Sequence, residues 1–210
     1  MWQSISYYAL LALECLAGMF GIRLYEEPQY KLLDRVGERV EIRRYAPRVA
    51  AEVTLPNTGK DARGDAFQLL FDYISGANRG TSGSDKIAMT VPVAVRDREL
   101  ISMTVPVAIS GRNGSLRMRF FLPAIYDIRN APRPIDERVE LNPIPAQTVG
   151  TLRYSGSGRD AHAQESKLIA ALKGSAWQAL GPAYTLYYDA PFTLPFLRRN
   201  EAAVGVGEVR

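Results

Sequence analysis

The sequence predicts an α+β fold built from two copies of one β-β-α-β-β unit. Short β-branched and alternating apolar runs recur between turn residues, as strands do. Two other segments repeat apolar residues at helical spacing, each entered through an Asp. The second half also echoes the first at an offset of 99 residues: Val40-Glu41-Ile42 answers to Val139-Glu140-Leu141, Gly59-Lys60-Asp61-Ala62 to Gly158-Arg159-Asp160-Ala161, and Pro92 to Pro191. One such unit alone leaves a sheet face uncovered, so the two copies must close on each other.

Residues 1–24 stand apart. Ile5 to Ile22 is apolar with Glu14 as its only charge. No Lys or Arg precedes the run, as a secretory signal requires, and a glutamate at mid-span is costly in a bilayer. The segment is expected to be an apolar N-terminal extension, either a loosely attached helix or a weak signal or anchor. Any membrane association falls to it.

Strands are predicted at Tyr30–Leu33, Val40–Tyr45 and Val49–Leu55, with a turn at Val36-Gly37 and a stop at Pro56-Asn57-Thr58-Gly59. The first helix starts at Asp61. Ala66, Leu70 and Ile74 form one apolar line, Phe67 and Phe71 an adjacent one, and together they are wider than covering a sheet requires. The first line is therefore expected to face the sheet and the two phenylalanines to line the mouth of a cleft, with Arg63 one turn away. Gly76, Gly80 and Gly83 end the helix. Lys86–Val95 reads as a nearly buried strand that Pro92, lacking an N–H, must end, bulge or place at an edge. Its near copy Met103–Ile109 reads as an extension of the hairpin. Leu116–Leu122 is the next strand and Pro123–Glu137 is irregular. Strands recur at Val139–Ile144, Thr148–Tyr154, Ala183–Tyr188 and Glu201–Val206, around a second helix from Asp160 to Lys173.

Composition narrows the function. The chain is 47% hydrophobic and 23% charged, which is globular rather than disordered. A net charge of +4, spread over scattered Lys and Arg, gives no basic stripe with interleaved aromatics, so nucleic acid is not an expected partner. One cysteine, Cys15, excludes an internal disulfide and a Cys-rich zinc site. One histidine, His162, excludes any site needing two imidazoles, and at helical spacing it neighbours Glu165, Ser166 and Lys173 on a polar face. No carboxylate couple stands out for acid–base work. Gly76 to Gly83 lacks the strand-before, helix-after context of a phosphate cradle. The chain is thus expected not to be an enzyme, with no catalytic residue and no metal ligand to nominate.

Four motifs in order carry a resemblance: Val40-Glu-Ile-Arg-Arg-Tyr45, Lys86-Ile-Ala-Met-Thr-Val-Pro-Val93, Phe120-Phe-Leu-Pro123, and Tyr187-Tyr-Asp-Ala-Pro191 with Arg198-Arg-Asn-Glu201. From about Pro28 to Val206 the chain resembles the SOUL family of heme-binding proteins. The resemblance implies a distorted eight-stranded antiparallel barrel with two helices packed outside, in one domain over residues 25–210. It also implies reversible, non-covalent binding of heme or another tetrapyrrole, as carrier or buffer. A porphyrin is a flat apolar disc with two carboxylates on one edge, so it wants apolar walls flanked by cations. The first helix offers Arg63, Phe67, Leu70 and Phe71. The closing segment offers Phe192, Leu194, Phe196 and the pair Arg198-Arg199.

Two departures bear on the ligand. Arg44 stands where some members carry a histidine taken as the iron ligand, and Asp72 and Thr193 align with lysines near the pocket in some members. Binding would then rest on apolar contact, with Tyr or Met as weak ligands or none. The duplicated fold is also similar to effector domains of bacterial multidrug regulators, here without a DNA-binding segment. That leaves a general binder or sensor of amphipathic small molecules as the alternative. An enzyme acting on tetrapyrroles is a third, for which no residue can be nominated.

Overall fold

A computed structural model gives the fold and describes residues 26–56, 61–80, 85–96, 114–189 and 193–209. The first unit contains β1 (Tyr30–Val36), β2 (Val40–Tyr45), β3 (Arg48–Pro56), α1 (Ala62–Ser75), β4 (Asn78–Arg79), β5 (Val93–Arg96) and β6 (Ser115–Phe121). After β7 (Arg133–Pro134), the second contains β8 (Val139–Ile144), β9 (Gln147–Ser155), α2 (Ala161–Leu172), β10 (Trp177–Ala179), β11 (Tyr184–Tyr187), a short 3-10 turn (Pro195–Leu197) and β12 (Arg199–Glu208). The extension 1–24 and the hairpin copy Met103–Ile109 lie outside the described residues. Among those described, no helix is long and apolar enough to cross a membrane.

The strands pair in the order β1-β2-β9-β12-β11-β5-β6-β3-β8, with β10 joined to β12. Eight of these, from β2 to β8, read the same from either end when the two units are exchanged. β2 of the first unit pairs with β9 of the second, and β8 of the second pairs with β3 of the first. The registers agree: Val40 faces Leu152 and Val53 faces Val139, the same pair under a shift of 99. The two halves meet where β5 pairs with β11, around Val95 and Thr185. From Val93–Arg96 to Tyr184–Tyr187 the offset is 91 rather than 99, so Pro92 stands before β5 whereas Pro191 comes after β11, and their match does not carry over to these strands; Pro191 itself lies outside the described residues.

Two short links dictate the curvature. β2 and β3 are consecutive in sequence, joined by Ala46-Pro47, yet six places apart in the sheet; β8 and β9, joined by Pro145-Ala146, are also six apart. Six strand spacings span about 29 Å in a flat sheet, while a two-residue link reaches only about 10 Å. The sheet must curl, and it forms a half-barrel with β1 and β8 as its ends. The eight strands from β2 to β8 make up the expected barrel set, which β1 at Tyr30–Val36 and β10 extend.

Alternation along each strand gives the sheet two faces. On one, Val49, Ala51, Val53, Leu116, Met118 and Phe120 pack under α1, and Val40, Ile42, Leu152, Val204 and Val206 pack under α2. On the other, a third core gathers Tyr45, Ala50, Ala94, Phe121, Val149, Leu186 and Tyr188, to which, among the described residues, no helix contributes.

The expected strand at Lys86–Val95 is shorter than its apolar sequence suggests. Only Val93–Arg96 pairs as a strand. Ile87 and Val91 are buried in the approach, the Val91–Pro92 peptide is cis, and the ladder starts directly after the proline that cannot donate to it.

Candidate functional site

The first candidate site is built on α1. The Asp61 carboxylate accepts the Gly64 N–H at 3.0 Å and starts the helix. Gly76, at φ +124°, ends it, its N–H donating to the carbonyls of Asp72 and Tyr73. Ala66, Leu70 and Ile74 are buried, as is Tyr73, whose hydroxyl donates to the Pro132 carbonyl at 2.8 Å. Leu70 has no exposed surface and belongs to the core beneath the helix. The adjacent line behaves differently. Phe67 is half-buried with its ring edge-on to Phe120 at 5.3 Å, and it stacks on Phe71 at 6.0 Å and 12°. Phe71 is 42% exposed. Arg63 lies on the same line, exposed, one turn before Phe67.

This ridge borders the second unit. Phe120 faces Val93 across the ladder, and Val93 faces Tyr187 on β11. Burial raises the pKa of the Tyr154 phenol on β9, and the charge of Arg63 is among the influences opposing it, so the guanidinium lies within electrostatic reach of that strand. The 3-10 turn packs on β9 as well and leaves Leu194 and Phe196 exposed. Arg198, half-buried, donates from Nε to the Thr193 carbonyl at 2.7 Å. Arg199 does not join it. Arg198 closes the 3-10 turn, whereas Arg199 opens β12 and binds Glu201 and Glu27. Phe192 lies outside the described residues.

The α1 ridge itself carries no imidazole. His162, the chain's one histidine, is exposed on α2, with Nδ1 3.2 Å from a Glu165 carboxylate oxygen, beside an open trough along Ser166, Ile169 and Ala170. Arg44 is exposed and donates to the Thr148 hydroxyl at 3.0 Å. Asp72 is exposed and Thr193 buried. Among the described residues, no group of three His, Cys, Asp or Glu side chains could hold a metal ion.

The opposite sheet face carries a charged network that the sequence reading left aside. Glu201 has no exposed surface. It accepts from Arg43 at 2.6 Å, from Arg199 at 2.8 Å and from the Tyr188 hydroxyl at 2.9 Å. Burial would raise its pKa, but the two guanidinium groups hold it below the ordinary carboxylate value. Burial likewise opposes the charge on Arg43, and the bond to Glu201 reverses this and raises its pKa. Burial and the Glu201 charge push the Tyr188 phenol up. A second acid, Glu52, is buried against Arg117 and Arg119. Period-two spacing in Glu41-x-Arg43-x-Tyr45 and Arg199-x-Glu201 was the available signal: each set falls on one strand face, and only pairing accommodates charges there.

A family model described as SOUL heme-binding protein matches residues 25–205. The chain belongs to that family. Among curated proteins none matches this SOUL chain. Among solved structures it is similar to the C-terminal domain of EcmrR, at TM-score 0.60 and 10% identity, covering 86% of this chain and 99% of that one. In an EcmrR–DNA complex the likeness covers 81% of this chain and only 58% of EcmrR, at TM-score 0.55 and 11% identity. A hydrolase from Listeria innocua gives TM-score 0.54 and 12% identity, covering 80% and 92% of the two chains. At these identities the likenesses establish the shared fold. The described residues of the SOUL chain suit part of what heme presents. Phe67 and Phe71 offer an aromatic surface for a flat apolar disc and Arg63 a cation for a propionate, while the chain's one histidine sits on another helix.

Proposed function

We propose that this SOUL-family chain binds heme or a related tetrapyrrole reversibly, as a carrier or buffer, along the Phe67–Phe71 ridge. Comparison of the two units supports this reading. Positions equivalent to Arg63, Phe67 and Phe71 in the second unit, 99 residues on, are His162, Ser166 and Ala170. Both helices cover the sheet, so covering it does not require aromatic residues there. An exposed stacked pair is an unfavourable surface to leave in water, and a porphyrin face would cover it. Arg63 would hold a propionate, and Leu70 would support the ridge from beneath. Bound heme would contribute its redox-active iron; the protein supplies apolar contact and charge, with no imidazole on the metal.

An absorbance titration of the full chain with hemin tests this. A saturable, shifted Soret band, lost in Phe71→Asp while the thermal melt is retained, is the expected result. Unchanged binding by that variant contradicts the ridge. The fold shared with the EcmrR C-terminal domain supports a second reading, a binder of other amphipathic molecules at the same ridge. Under it, an unrelated amphipathic dye would compete with hemin at comparable affinity.

A further inference from the structure

A cavity of about 90 Å³ lies where β3 begins, lined by Arg48 together with Pro28, Pro47, Val49, Leu122 and Pro123. The Arg48 guanidinium is clamped between two rings, 4.4 Å above Tyr45 and 4.2 Å above Phe121. Such stacking fixes the plane of the group and leaves its edge free for a planar partner.

Arg48 differs from the arginines around it. Arg43 and Arg199 bind Glu201, and Arg117 and Arg119 bind Glu52. No carboxylate pairs with Arg48 among the described residues, and its buried Nε has no acceptor. Glu26 also borders the cavity, but its Oε1 accepts the Ala124 N–H at 3.0 Å and it forms no ion pair with Arg48. A half-buried cation whose Nε is buried without an acceptor, beside a proline-lined cavity, is an incomplete arrangement. Burial lowers the Arg48 pKa, and the neighbouring charge of Arg119 acts in the same direction.

We infer that Arg48 is the anchor of a second binding site, which takes the carboxylate of a short aliphatic monocarboxylate. One guanidinium supplies one charge and a two-pronged edge that matches a carboxylate. The apolar walls fit a short hydrocarbon tail. The volume sets the size: a water needs about 10–15 Å³ by this measure, so the cavity holds a handful of heavy atoms. Pockets for large ligands run to roughly 300–1,000 Å³, so a porphyrin does not fit here.

Calorimetric titration of the full chain with sodium butyrate, butyramide and inorganic phosphate, at constant ionic strength, tests the site. Butyrate should bind saturably in the millimolar range or tighter, and butyramide and phosphate at least about tenfold more weakly. Arg48→Gln should abolish the butyrate signal and leave the hemin titration unchanged, which separates this site from the α1 ridge. The butyramide comparison uses the unaltered chain, so it stands even if the variant folds poorly. Equal binding of butyrate and butyramide, preference for phosphate, no saturable butyrate signal up to about 50 mM, or loss of hemin binding in folded Arg48→Gln would each overturn the inference.

Discussion

Glu201 shows how one residue can set the terms for its neighbours. It sits among Arg43, Arg199 and Tyr188 with no exposed surface. Removing one partner of a buried ion pair costs far more than the pair itself contributes, because the remaining charge stays buried, typically about 3–5 kcal/mol. Glu201→Ala should therefore lower stability by about that amount, read from urea unfolding midpoints. The pH dependence follows from the direction of the shift. The folded-state pKa of Glu201 is depressed, so its contribution is fully present above the unfolded value of about 4.3 and is lost as pH falls through the folded value. Acidification from pH 6 to pH 3 should lower the melting temperature of the native chain more than that of Glu201→Gln. An equal drop in both would show that the carboxylate carries no linked stability. His162 offers the opposite expectation at this scale. Being exposed on α2, it can be changed to Ala with less than about a threefold effect on hemin affinity; a loss above about tenfold would place it on the iron.

Among the elements, α1 carries the argument, and its two apolar lines behave differently. Leu70 is buried completely, so Leu70→Ala should destabilise by about 2–5 kcal/mol. Phe71 is half in water, and its stacking on Phe67 is worth only about 0.5–1.5 kcal/mol, so Phe71→Asp should stay folded. Phe67 differs because its edge rests on Phe120 and the core. Phe67→Asp should cost several kcal/mol and yield a much lower melt. If both aspartate variants melt alike, the division of the ridge is wrong. The separation of the two lines was legible in the 3.6-residue periodicity, but the different depths of Phe67 and Phe71 were not. Depth depends on Phe120, about fifty residues away in the chain, and periodicity carries no information on what a distant strand presents. Tyr73 was missed because an aromatic hydroxyl reads as amphipathic until its acceptor, the Pro132 carbonyl, is in place. The strand at Val93–Arg96 was over-extended for a related reason: apolar sequence marks burial, and residues 87–92 are largely buried without joining the ladder.

Across the whole molecule, the repeat made the architecture legible. The offset of 99 places β2 on β8, β3 on β9 and α1 on α2, boundary for boundary at their starts. It does not reveal the exchange of strands between units, which comes from register, nor the curl, which comes from the links Ala46-Pro47 and Pro145-Ala146. The opposite face, with Glu201 and Arg48, was the least legible part. Its residues are dispersed in sequence and meet only when the sheet closes. The duplication also isolates function, since what differs between equivalent positions is not demanded by the common fold. Under the proposed function, the ridge found on α1 and not on α2 holds a tetrapyrrole by apolar contact and charge rather than through iron. Parallel titrations of the full chain with hemin and with iron-free protoporphyrin, each repeated on Phe71→Asp, test it most directly. Affinities within about threefold are expected for the two porphyrins, both falling by at least about tenfold in the variant. Hemin binding more than about tenfold tighter than the iron-free porphyrin, or both bound unchanged by folded Phe71→Asp, would contradict it.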